Sequence, residues 1–199
     1  NIEVDEFIDG FVINNSMSIK DVLNTLQKVY FFDCVENDGK IAFISNKTNI
    51  RDKNNITTIY ENELLEINKE QFINVDVISN TELPQRIDLV FLDKNNDYDA
   101  KSLYAERNNT DSEKRYIETL PVVLDENRAR NIVETLLYST WLEKSIFTFI
   151  LPLKYIYLEP ADIVNLQLKN NTYILKINTV KLIDNKIVIT ATIFDNTLY

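Results

Sequence analysis

Asp125–Lys144 reads DENRARNIVETLLYSTWLEK, and this stretch decides what kind of fold the chain has. Apolar residues recur at Ala129, Ile132, Val133, Leu136, Leu137 and Trp141, the i, i+3, i+4, i+7 spacing of an amphipathic helix. Asp125 and Glu126 stand where the positive end of a helix dipole favours acids, and Lys144 where the negative end favours a cation. An apolar run, Leu120-Pro121-Val122-Val123-Leu124, precedes the stretch, and β-like segments follow it to the C-terminus. The pattern predicts one helix laid against a sheet or barrel, with Trp141 as its anchor, in an α+β protein.

Downstream, β-rich runs cover Ser145–Leu151, Leu153–Leu158, Asp162–Leu168, Thr172–Lys181 and Lys186–Phe194. Breaks fall at Pro152, Glu159-Pro160, Asn170-Asn171 and Asp184-Asn185. Short turns between such runs predict a mostly antiparallel meander closing into a small β-barrel, packed by the 125–144 helix.

Upstream, Ser18 is an N-cap and Asp21 completes a capping-box-like pair ahead of Ile19, Val22, Leu23, Leu26 and Val29, so a helix is expected over 18–30. Asp38-Gly39 between Tyr30–Val35 and Lys40–Ile44 is a hairpin signal, because the turn needs a positive φ that glycine adopts without strain. Residues 1–15 read as one or two short strands turning at Asp9-Gly10, and 45–58 as an exposed, Asn-rich connection. Ile59–Ile67 is expected as a short helix, Phe72–Ile78 as a strand, and Glu82-Leu83-Pro84 as a break. Arg86–Leu92 alternates as a strand, 100–116 lacks a period and reads as a long loop or a strand with a flexible neck, and Tyr116–Leu124 is a strand bent or edged by Pro121. The expected division is a helix–hairpin α+β domain over 1–84 and a β-barrel-like domain over 85–199.

Composition removes much chemistry. The 199 residues contain no histidine, so Ser-His-Asp, Cys-His and His-based metal sites cannot form within the chain. Cys34 is alone, which excludes an intrachain disulfide and a cysteine zinc site; its apolar neighbours make it a small buried hydrophobe. Two glycines, Gly10 and Gly39, cannot build a phosphate-cradling loop. A net charge of −10 with scattered Lys and Arg argues against binding nucleic acid or anionic lipid. No apolar run reaches the roughly 18–20 residues that span a bilayer, so a soluble chain without membrane insertion is expected. A start at Asn1 in place of Met is what a processed chain, or a piece of a longer one, would have.

Asp93, Asn95, Asp97 and Asp99 have the spacing that opens a calcium loop, but Tyr98 stands where such a loop needs Gly and Tyr104 where it needs a bidentate Glu. A polar strand-end loop is the expectation. Carboxylates are plentiful, yet none is marked by its neighbours as one of the pair a glycoside hydrolase needs. No residue is assigned a catalytic, cofactor or metal role, and no enzyme activity is expected. Tyr155, Tyr157, Tyr173 and Tyr199 offer stacking faces, which leaves a carbohydrate- or protein-binding module for host attachment as the alternative.

Several phrases taken in order resemble one family. They are Phe32-Asp33-Cys34-Val35-Glu36-Asn37-Asp38-Gly39-Lys40-Ile41-Ala42-Phe43, Leu83-Pro84-Gln85-Arg86-Ile87 with Asp93 and Tyr98, and Leu120-Pro121-Val122-Val123-Leu124. The helix ending near Trp141, Phe149-Ile150-Leu151-Pro152 and Leu158-Glu159-Pro160-Ala161-Asp162 complete the set. Together they resemble the phage-tail region of the large tail protein of alphaproteobacterial gene transfer agents, which is related to baseplate hub proteins of long-tailed phages. The family usually has Pro-Gly-Asp where this chain has Pro160-Ala161-Asp162; if that glycine needs a positive φ, Ala161 costs about 1 kcal/mol. The resemblance implies a virion structural protein, assembled in the bacterial cytoplasm into the tail. It also implies a hub that self-associates, as a trimer, and docks to other tail and baseplate proteins.

Overall fold

The computed structural model describes residues 9–13, 17–37, 39–46 and 56–198. In chain order the elements are α1 (Ile19–Tyr30), β1 (Phe32–Asn37), β2 (Lys40–Ser45), β3 (Thr57–Tyr60), β4 (Ile73–Val77), β5 (Arg86–Asp93), β6 (Ala100–Glu106), β7 (Arg115–Leu124), α2 (Glu126–Leu142), β8 (Ser145–Pro152), β9 (Ile163–Gln167), β10 (Thr172–Ile183) and β11 (Lys186–Ile193). The protein is therefore α+β, mostly strands with two α-helices among the described residues. Two compact units form. One contains the described residues up to Ser45 together with Ser79–Trp141; the other contains those of Asn46–Ile78 with Leu142–Thr197.

In the first unit, α1 starts with the expected capping box. Ser18 Oγ accepts the Asp21 N–H at 3.2 Å while the Asp21 carboxylate accepts the Ser18 N–H at 3.1 Å. The helix ends at Phe31, whose φ of 51° turns the chain into the β1–β2 hairpin. Asn37 pairs with Lys40, leaving a two-residue connection in which Gly39 has φ 71°, as the Asp-Gly signal predicts. Strand β5 lies between β6, antiparallel, and β7, parallel. Its Ile87, Leu89 and Phe91 are buried in alternation with Asp88 and Val90.

Helix α2 is capped by Asp125, whose carboxylate accepts the Arg128 N–H at 3.0 Å. It buries Ala129, Ile132, Val133, Leu137 and Trp141 against Ile87, Leu89, Phe91, Leu120 and Val122. The helix thus covers the β6–β5–β7 sheet, not the strands that follow it. The loop after β6 is pinned where the buried Ser112 donates its hydroxyl to Leu83 O. Gly10–Val12 lies on the outer edge of β7, with Val123 N–H to Gly10 O at 2.9 Å and Val12 N–H to Pro121 O at 2.8 Å. A Cβ on Gly10 would stand 2.8 Å from Val123 Cγ2, so close approach dictates that glycine. Pro121 is tolerated because β7 is an edge strand with an irregular register opposite Val90–Leu92.

The second unit is a six-stranded sheet of order β3-β9-β10-β11-β8-β4. Ile59, Phe149, Leu151, Val164, Leu166, Leu175 and Ile189 form its core. The β10–β11 connection is Asp184-Asn185, with φ of 48° and 57°, the left-handed pair that a two-residue hairpin turn requires.

Three expectations change. The boundary at 84/85 is replaced because β3 pairs with β9 and β4 with β8, which carries 56–78 into the unit of the C-terminal strands, while α2 belongs with β5–β7. The expected helix over Ile59–Ile67 is β3 followed by the 3-10 turn Glu61–Glu63: Ile59 is fully buried as a strand residue beside Leu166. Leu153–Leu158 is a 3-10 turn over Leu153–Tyr155, not a strand, since Tyr155 and Leu158 point inward while Ile156 and Tyr157 point out. Of the two readings of 100–116, the strand is the one that forms, as β6 over Ala100–Glu106. Hydrogen bonding in the six-stranded sheet runs from β3 to β4, without a pairing between these two among the described residues. The readings at 1–8, 14–16 and 47–55 fall outside the described residues.

Candidate functional site

The features singled out in the sequence do not converge on a pocket for chemistry. In the Asp93–Asp99 connection, the Asp93 carboxylate accepts the Asn95 N–H at 3.0 Å and pairs with Lys101 at 3.1 Å. These bonds hold it below the usual carboxylate range, the Asn95 N–H contributing most. Lys101 also reaches Glu126 at 2.9 Å, which ties β6 to the start of α2. Asp93 therefore acts as a loop clamp. No group of three or more His, Cys, Asp or Glu able to hold a metal occurs among the described residues. Cys34 is half-buried on β1, opposite Phe43.

The four tyrosines separate. Tyr155 is buried and donates its hydroxyl to Glu63 at 2.8 Å. Tyr173 tilts onto Phe147 with centroids 5.0 Å apart. Tyr157 alone is well exposed, and Tyr199 lies outside the described residues. Glu63 is the centre of this region: it accepts from Lys154 Nζ, from the Tyr155 hydroxyl and, at 3.0 Å, from the Tyr60 N–H. Those donors, led by Lys154, push its carboxyl down to about 2. Burial, and then the Glu63 carboxylate, push the Tyr155 hydroxyl up. Asp162, half-buried in the turn before β9, is raised by burial against the opposing Glu159 N–H.

What the second unit does present is open strand edge and exposed apolar surface. β3 and β4 end the six-stranded order, so each has one edge without a strand partner among the described residues. Edges are normally blunted by charge, proline or short length. β4 is INVDV, with Asp76 its one charge, and Val75 and Val77 are 44% and 59% exposed. Phe72 and Ile78 flank it, both exposed. Tyr60 at the end of β3, and Leu153, Ile156 and Tyr157 on the turn bonded to Glu63, add further exposed apolar area. Composition could have flagged β4, since a strand with alternating valines and one acid is a poor solvent edge; nothing in the sequence shows that it is terminal.

The sequence matches the family described as "Putative phage tail protein" over residues 18–180. No curated protein matches it. Among solved structures, a chain of the virion of a native gene transfer agent particle superposes with TM-score 0.86 at 20% identity, covering 96% of this chain and 42% of that one. The tail protein from Neisseria meningitidis MC58 gives TM-score 0.60 at 9% identity, over 96% of this chain and 59% of that one. The 43 kDa tail protein of prophage MuSo2 from Shewanella oneidensis gives 0.56 at 6% identity, over 89% and 55%. This chain thus spans about half the length of the structures it matches. With its family match extending over most of the 199 residues, the chain belongs to the phage tail protein family.

Proposed function

We propose that the protein is a hub-type structural component of a phage or gene-transfer-agent tail, working by self-association and by docking to other tail and baseplate proteins. The observation that carries this reading is the superposition at TM-score 0.86, over 96% of the chain, on a chain of a gene transfer agent virion. The open edges of β3 and β4 supply a physical means: a strand from a neighbouring subunit satisfies the free backbone groups and covers Val75 and Val77. In this reading the six-stranded sheet is a small barrel left open at β3 and β4, and the assembled hub is a homotrimer. The chain acts without cofactor or catalysis, is assembled in the bacterial cytoplasm and resides in the virion tail. A net charge of −10 suits a conduit that must release DNA; measurable DNA affinity at moderate salt would count against that part.

Sedimentation velocity at rising concentration tests self-association. The wild-type chain is expected to pass from monomer to trimer, and Val75→Lys with Val77→Lys to remain monomeric. Trimers formed equally well by the double variant would exclude the β4 edge as the contact.

A further inference from the structure

The end of β6 faces α2 across an open groove of about 780 Å³ within the first unit. Tyr104, Arg107 and Asn109 stand on the strand side, and Glu134 and Tyr138 on the helix side. Tyr104 and Tyr138 are both more than half exposed. Tyr104 is held in place by the Arg86 guanidinium, 3.6 Å from its ring centroid. Arg107 lines the groove and lies over Trp141, its guanidinium carbon 4.4 Å from the ring centroid. A guanidinium fixed by stacking on the wall of the groove is pre-organised to donate to an incoming oxygen.

The lining selects the kind of occupant. Glu106 and Glu134 repel a phosphate backbone, and an apolar helix would find no exposed aliphatic side chain, since Leu137 and Ala105 are already buried and only the two tyrosines stand out. Hydroxyl-rich rings need the opposite: donors and acceptors side by side, since each hydroxyl does both, and a flat aromatic face for the C–H side of the ring. Asn109, Glu134 and Arg107 supply the first, Tyr138 the second. We propose that this groove binds an oligosaccharide, with one sugar ring on Tyr138 and ring oxygens bonded by Arg107, Asn109 and Glu134. The proposal is independent of the hub reading. It also relocates glycan recognition from the second-unit tyrosines, of which Tyr155 and Tyr173 are engaged in packing.

Trp141, the only tryptophan of the chain, reports on the site because Arg107 covers its ring. Its fluorescence is titrated with chitotetraose, maltotetraose and trigalacturonate, as N-acetylated, neutral and acidic probes, with calorimetry in parallel. A saturable change with at least one probe, Kd at or below about 1 mM, is expected. Tyr138→Ala should weaken it about tenfold or more at an unchanged melting temperature, and Tyr157→Ala should leave it intact. Three results would overturn the proposal: no saturable signal with any probe to about 10 mM, binding undiminished in Tyr138→Ala, or self-association lost in Tyr138→Ala, which would assign the groove to a second copy.

Discussion

Replacing Trp141 by alanine removes the residue that fastens α2 to its sheet. The side chain is 7% exposed, its indole N–H donates to Pro84 O at 2.8 Å, and the Arg107 guanidinium covers its ring. Truncating a buried tryptophan costs about 3–5 kcal/mol in lost burial and cavity formation. The abandoned Pro84 carbonyl adds about 1 kcal/mol or more, because a buried acceptor without a donor keeps its desolvation penalty. Loss of the stacked guanidinium contributes about 0.5–1 kcal/mol. These terms overlap, so the expected loss is about 5 kcal/mol. With a urea slope of about 2–3 kcal/mol/M, the midpoint falls by about 2 M. Circular dichroism must follow the transition, since the fluorophore is gone. Trp141→Phe keeps most of the apolar burial and loses the N–H donor, so it should cost about 1–2 kcal/mol. A loss below about 1 kcal/mol for Trp141→Ala, or equal losses for the two variants, would refute the anchoring role.

Glu63 gives a pH prediction. Its carboxyl is depressed to about 2, so the stabilisation is complete above the ordinary glutamate range near 4.3 and disappears as pH falls toward 2. The Lys154–Glu63 pair keeps Lys154 about half exposed and Glu63 at 22%, so solvent screening limits the contribution to about 1 kcal/mol. Wild type should therefore exceed Glu63→Gln in urea midpoint at pH 6 and match it near pH 2; a gap independent of pH would contradict the assignment. Asn185→Gly should raise stability by about 0.5–1 kcal/mol, because Asn185 sits at φ 57° in an exposed turn; a lowered melting temperature would show that its side chain matters more than its backbone.

The parts of the fold legible in the sequence are those fixed by local physics. The Ser18–Asp21 capping box, the Gly39 turn, the alternation of Ile87, Leu89 and Phe91 and the periodicity of α2 all depend on neighbours within a few residues. At Ala161 the sequence left the turn open, and the structure gives it a φ of 72°, with its N–H to Ile177 O at 2.8 Å holding it there against about 1 kcal/mol of left-handed strain. What was not legible depended on pairing at long range. Thr57 and Thr58 read as connection, and Ile59 and Tyr60 as the start of a helix, until β9 pairs with all four, and the apolar face of α2 does not say which sheet it will meet. The division into units followed from those pairings, not from composition. Of the sites, Glu63 was invisible because its donors, Lys154 and Tyr155, arrive from about ninety residues away.

Cryo-electron microscopy of intact particles, with this chain carrying a small epitope tag decorated by its antibody fragment, tests the central claim most directly. A tail hub predicts antibody density at the distal end of the tail tube, repeated around the tube axis with threefold symmetry. Decoration of the capsid, or density confined to a single copy off the axis, would contradict it.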